Sequence, residues 1–201
     1  MAEASLAAYV IDDDAAIRDS LVLLLSLRGH RAAAFASAED FLAAAQPDWA
    51  GCAIVDIRMP GMDGLALLRK LRSGDVRLPV VIVTGHGDVA SAREAFRNEA
   101  EDFLEKPFDA DQLVATVEGI FRRESERLVA SRAEGERRQR LDALSDREKE
   151  VLEQLLLGLH NRDVGQRLGI SPRTVEVHKA RILAKLGARN IVDLLRQLQR
   201  A

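Results

Sequence analysis

Short continuous apolar runs alternate with amphipathic stretches through the first two thirds of this chain. Strand-like runs lie at about 6–11, 31–35, 52–56, 79–83 and 101–104, and helix-like stretches at about 15–28, 38–45, 64–73, 88–97 and 109–122. In 15–28, Ile17, Leu21, Leu24, Leu25 and Arg28 follow helical spacing and Gly29 stops the helix. Ser37, with Glu39 and Asp40 behind it, caps the second helix. Five strand-then-helix units in alternation predict a parallel sheet covered on both faces, with right-handed crossovers.

After Phe121 the pattern changes. Residues 122–140 are mostly Arg, Glu, Ser and Ala with few apolar anchors, such as Leu128 and Val129. They read as a helical linker, either a plain exposed connector or a segment that pairs with a copy of itself; no sustained heptads decide between these. Beyond it the spacing predicts four short helices. Ser145 and Glu148 form a capping box, and the helix they open runs to about Leu157 before Gly158. A second helix spans about 161–168, a third starts after Ser171-Pro172, and a fourth covers about 190–199. The expected division is therefore 1–121, a linker at 122–140, and a helical domain at 141–201.

Charge sharpens that division. The net charge of −3 hides −9 over residues 1–121, zero over 122–136 and +6 over 137–201. An acidic front and a basic back point to different partners, the back facing a polyanion such as nucleic acid. Aromatics make up only 4% of residues, so the expected cores are aliphatic. No apolar run reaches the roughly 20 residues of a membrane span. With no signal-peptide pattern and one cysteine, Cys52, the expectation is a cytoplasmic protein away from membranes. Cys52 itself reads as a small buried hydrophobe.

The chemistry gathers at strand ends. Asp12 and Asp13 stand just past the first run, Asp56 at the end of the third, Thr84 just past the fourth and Lys106 just past the fifth. In an open parallel sheet the strand C-termini meet on one edge, where ligands bind. Carboxylates crowded there repel unless a cation holds them together. Asp56, which leads into Ile57-Arg58-Met59-Pro60-Gly61, is the expected phosphoryl acceptor. Asp12, Asp13, Asp56 and the Arg58 backbone carbonyl are expected to hold Mg²⁺, with Mn²⁺ as a substitute. Lys106 and the Thr84 hydroxyl would meet the phosphoryl oxygens.

With these positions in place, residues 5–121 resemble the receiver domain of bacterial two-component response regulators. The resemblance implies a flavodoxin-like α/β fold with five strands, a cis Lys106–Pro107 peptide, and Phe103 as a switch residue that follows the Thr84 hydroxyl. It also implies a sensor histidine kinase as partner and homodimerisation on phosphorylation through the fourth helix and fifth strand. The domain would be no enzyme beyond transfer to its own Asp56 and slow hydrolysis. A haloacid-dehalogenase-type phosphotransferase also uses a strand-end Asp, but it needs a second Asp two residues on, where this chain has Arg58.

Residues 161–180 fit a helix-turn-helix, with Gly169 at the turn and Val164, Leu168, Ile170 and Val175 inward. Gly165 falls at the close approach of the two helices, usually an Ala position, and costs the helix about 0.8–1 kcal/mol. The segment 141–199, with its run Ser171-Pro172-Arg173-Thr174-Val175-Glu176-Val177-His178, is similar to the LuxR-type four-helix DNA-binding domain, and the combination resembles the FixJ/NarL class. Val175, His178, Ile182, Leu183 and Leu186 form one inward stripe. Arg173, Glu176, Val177 and Ala180 face outward to base edges, with Thr174, Lys179, Arg181 and Lys185 flanking them as phosphate contacts. His178 is expected to be partly buried with a backbone or phosphate contact. The implied activity is transcription regulation on promoter DNA, with RNA polymerase as a further partner. A receiver that titrates a partner protein, with a tail binding RNA or protein, is the competing reading.

Overall fold

The five apolar runs pair into one parallel sheet in the computed structural model, which describes residues 6–85 and 89–199. The strands are β1 (Ala7–Ile11), β2 (Arg31–Phe35), β3 (Gly51–Val55), β4 (Val80–Thr84) and β5 (Asp102–Glu105), in the order β2-β1-β3-β4-β5. That is the flavodoxin-like order, with its topological switch between β1 and β3. Helices α1 (Ala15–Leu27), α2 (Ala38–Ala44), α3 (Gly64–Ser73), α4 (Val89–Arg97) and α5 (Ala110–Asp142) alternate with the strands. The expected start of α4 at Asp88 lies outside the described residues.

Each interior strand feeds two cores, which is why its sequence is a continuous apolar run rather than an alternating one. Tyr9, Ile11, Ala53, Val55, Val80 and Ile82 pack with α2, α3 and α4. Ala8, Val10, Cys52, Ile54, Val81 and Val83 pack with α1 and α5. Burial pushes the Cys52 thiol up to about 12, so it stays protonated and behaves as the small hydrophobe expected. One corner of the first core is aromatic. The Tyr9 and Trp49 rings stack with centroids 4.3 Å apart, Phe41 stands edge-on to Tyr9, and Phe35 stands edge-on to Phe41.

Helix α5 departs from the expected pattern. The stretch read as a helix followed by a separate linker is one helix of 33 residues. It contains no proline, and Glu124–Arg127, Glu134–Arg137 and Glu136–Arg140 pairs at helical spacing support its charged turns. The molecule divides into two compact units inside this helix, between Arg127 and Leu128.

The second unit holds the end of α5 and α6 (Asp146–Leu156), α7 (Asn161–Leu168), α8 (Pro172–Leu186) and α9 (Ile191–Gln199). The Ser145–Glu148 capping box forms as expected, and Ser171 caps α8 with Pro172 at its first turn. Val164, Val175, Ile182 and Leu186 are buried together, with Leu168, Ile170 and Leu183 packed against them. None of the described helices is long and apolar enough to cross a membrane.

Gly165 does more than fit. A Cβ there would lie 2.6 Å from the Ile170 carbonyl oxygen, which belongs to the turn between α7 and α8. Backbone has little room to yield, so the clash, typically 1–3 kcal/mol, outweighs the ~1 kcal/mol that Ala would add to the helix. Gly165→Ala is therefore expected to lower the stability of the C-terminal unit by about 1 kcal/mol or more in urea denaturation followed by circular dichroism. An increase in stability would contradict the close approach.

Candidate functional site

The strand ends meet as the topology requires. Asp12 follows β1 and Asp56 follows β3, which are paired neighbours, and Asp56 N donates to the Ile11 carbonyl at 2.9 Å. Lys106 directly follows β5 and is joined to Pro107 by a cis peptide, and its backbone N donates to the Thr84 carbonyl. Its ammonium stands between the two acids, 2.6 Å from Asp12 Oδ2 and 2.8 Å from Asp56 Oδ1. Asp12 and Asp56 are only 3% and 7% exposed. Burial opposes the charge on Lys106, but the hydrogen bonds it donates to Asp12 and Asp56 prevail and raise its pKa.

The remaining carboxylate oxygens are held by backbone. Asp12 Oδ1 accepts from Asp14 N at 2.9 Å, and Asp56 Oδ2 accepts from Arg58 N at 2.5 Å. Asp63 caps α3 by accepting from Ala66 N, which fixes the far end of the loop. Gly64 is obligatory here: a Cβ would lie 2.2 Å from the Asp56 carbonyl oxygen. Asp13 is exposed at the rim, Thr84 is buried at the end of β4, and Phe103 is half-buried in β5 against the sheet's first core. Two contacts were not read from the sequence: Arg18 donates to the Asp12 carbonyl at 2.7 Å, and Glu39 accepts from Met62 N at 2.9 Å. Both come from surface helices whose charged residues carry no periodic signal.

The donor set suits a small hard cation. Among the described residues no three His, Cys, Asp or Glu side chains close into a complete cage. Mg²⁺ does not need one, since it retains waters and uses one or two carboxylates. Asp12 and Asp56 are buried together with a single ammonium between them, which leaves the acidic pair in excess of positive charge.

In the second unit, α8 presents Arg173, Thr174, Glu176, Val177, Ala180 and Arg181 to solvent, with Val177 45% exposed. Lys179 is half-buried and lines a groove of about 580 Å³ with His160, Asn161, Arg162 and Pro172. His178 is half-buried, and its buried Nδ1 makes no hydrogen bond, so this atom does not make the backbone contact expected. Lys185 is a correction. Its ammonium is 2.6 Å from Glu148 Oε2 and 3.0 Å from the Ala143 carbonyl, so it locks α8 to the start of α6 rather than waiting for a phosphate. It lies three residues past Ile182, near the inward stripe, and its buried partner Glu148 stands 37 residues earlier on another helix, where the periodicity of α8 alone gives no sign of it.

Glu148 joins that lock to the capping box, accepting from Ser145 N and Lys185 Nζ. Hydrogen bonds from Lys185 and Ser145 hold its carboxyl down at about 2. The depressed value stabilises this unit above the unfolded carboxyl's 4.5, and the contribution is lost as pH falls from about 5 to 2. Because Lys185 is 39% exposed, solvent screening reduces the effect to about 1–2 kcal/mol. Glu148→Gln keeps the cap but removes the ion pair, so it should flatten this acid limb in pH-dependent denaturation; an unchanged limb would exclude Glu148 as its source.

Comparison with known proteins finds a family for each part of the chain. Residues 8–118 match the response regulator receiver domain, and residues 142–198 match the bacterial regulatory proteins of the luxR family. The chain is 42% identical to the transcriptional regulatory protein FixJ of Bradyrhizobium diazoefficiens over 96% of this chain and 94% of that protein. It is 41% identical to the C4-dicarboxylate transport transcriptional regulatory protein DctR of Rhodobacter capsulatus over 96% and 98%. Among solved structures it is similar to the response regulator StyR, with a TM-score of 0.91 and 33% identity over 98% of this chain and all of that one. Full-length FixJ from B. japonicum matches with a TM-score of 0.59 and 40% identity over 98% of each chain.

Proposed function

The chain belongs to the bacterial response regulators, with a receiver domain followed by a LuxR-family DNA-binding domain, and from that premise we propose that phosphorylation of Asp56 by a sensor histidine kinase controls dimerisation and promoter binding. The observation that carries this reading is the Asp12–Lys106–Asp56 constellation, a buried acceptor carboxylate already held by a cation. An oxygen of Asp56 forms the bond to phosphorus while the bond from phosphorus to the kinase's imidazole nitrogen breaks, and the leaving imidazole keeps the electron pair. Lys106 then balances charge on the phosphoryl oxygens, and the Thr84 hydroxyl donates to one of them. Phe103 follows Thr84 and alters the surface of α4 and β5, where a second copy docks. Asp12, Asp13, Asp56 and the Arg58 carbonyl would hold Mg²⁺, or Mn²⁺ in its place. Bound there, the cation supplies positive charge against the charge of the transferring phosphoryl group. The only chemistry is transfer to Asp56 and its slow hydrolysis, so the protein is a regulator rather than an enzyme. It acts in the cytoplasm, where promoter DNA and RNA polymerase are.

Dimerisation strengthens DNA binding because the second half-site binds at high effective concentration. On α8, Glu176 and Val177 read base edges, while Lys179 and Arg181 meet phosphates. Beryllofluoride treatment with Mg²⁺ is expected to dimerise the protein in sedimentation and to tighten binding to its promoter, but not to scrambled DNA or RNA. Arg181→Ala should weaken binding to all sequences and lower the slope of log K against log salt by about 0.9. Glu176→Ala should relax preference at one base pair by about 1–3 kcal/mol and leave the slope unchanged. If the two variants exchange these signatures, the face assignment of α8 is wrong; tight binding to RNA but not promoter DNA would overturn the regulatory reading.

A further inference from the structure

The loop that follows Asp56 is anchored unevenly. Ile57 and Met59 are buried, and Gly64 N closes the loop onto the Ile57 carbonyl at 2.9 Å. Between them Pro60, Gly61 and Asp63 are exposed. At this tip, among the described residues, the hydrogen bond to a different element runs to Glu39 in the first turn of α2, whose Oε1 accepts from Met62 N at 2.9 Å. The neighbouring Gly61, at φ +78°, makes room for the carboxylate: a Cβ there would lie 2.8 Å from the same Oε1. Glu39 is itself fixed in place, because Ser37 caps α2 and the buried Phe41, two residues further on, pins the helix to the first core.

Arg58, whose amide holds Asp56 Oδ2, lies at the other end of this tip. A loop tied at Met62 presents Arg58 and Asp56 in one arrangement, whereas a loop free there samples several. Reactions that depend on a held geometry lose rate when it loosens, by up to about 10² for a misplacement of 1 Å.

We propose that Glu39 is a positioning residue for phosphoryl transfer: a brace from α2 that holds the Asp56 loop for attack on phosphorus. It touches neither phosphate nor metal and acts through the Met62 amide. The inference rests on Asp56 being the phosphoryl acceptor.

The test uses the full chain with acetyl phosphate and Mg²⁺, following phosphate uptake by intact mass and Met62 amide exchange by NMR. Glu39→Ala should slow phosphorylation about threefold to tenfold, less than a full misplacement costs, and should speed Met62 exchange. Glu39→Gln keeps an acceptor oxygen and should restore both to within about twofold of wild type. A Glu39→Ala protein phosphorylated at the wild-type rate overturns the proposal, whatever its exchange or melting behaviour. So does a Glu39→Gln protein as slow as Glu39→Ala, because charge rather than the hydrogen bond would then be at work. A wild-type protein that takes up no phosphate overturns the Asp56 reading as well, which separates that failure from this one.

Discussion

Asp56→Asn is expected to take up no phosphate at all, while remaining as stable as the wild-type protein or becoming slightly more so. The loss is complete because Asp56 is the carboxylate that combines a strand-end position, near-complete burial and contact with Lys106. Asp12 shares the ammonium, but it stands at the end of the neighbouring strand, with its backbone carbonyl taken by Arg18. The stability outcome follows from charge: the wild-type protein buries two acids around one cation, and the Asn variant buries one of each. Intact mass after incubation with acetyl phosphate or phosphoramidate, with and without EDTA, provides the measurement. A mass gain that survives the substitution, or that appears without metal, overturns the assignment.

Lys106→Met should be the most destabilising single substitution in the pocket. It leaves Asp12 and Asp56 facing each other without a counter-charge in a buried site. Stranding a buried charge typically costs 3–5 kcal/mol. Because Lys106 retains 17% side-chain exposure, the low end, about 3 kcal/mol, is expected. Urea denaturation in EDTA would show the loss, and Mg²⁺ should restore more stability to this variant than to the wild-type protein, since its acids no longer have the ammonium. Equal metal responses in the two proteins would mean that Lys106 and the cation do not share these carboxylates.

Sequence patterns revealed the sheet and its active edge because both depend on local, periodic signals. The apolar runs of the interior strands had to be buried on two faces, so their length and position were visible, and the chemistry fell at the end of a run or within two residues past it. The helical domain was legible through its caps, with Ser145 marking the start of α6 and Ser171-Pro172 that of α8. The continuity of α5 was less visible, since Arg–Glu pairs at helical spacing support a helix without leaving an apolar stripe. Lys185 was misplaced because its partner, Glu148, comes from another helix and is buried by tertiary packing. Gly165 looked like a mere propensity penalty until the Ile170 carbonyl was seen above it. Glu39 and Arg18 escaped for the same reason: a charged residue on a surface helix acquires meaning only from what folds over it.

The aromatic corner beside β1 has an optical consequence. Trp49 is the chain's single tryptophan and Tyr9 its single tyrosine, and all six phenylalanines also precede residue 122. Their stacked rings therefore give the receiver a built-in chromophore, whereas the DNA-binding unit is dark at 280 nm. Tryptophan emission will follow the melting of one unit alone, and far-ultraviolet circular dichroism will record both. The difference between the two curves isolates the helical unit in the intact protein, without a label or a truncation.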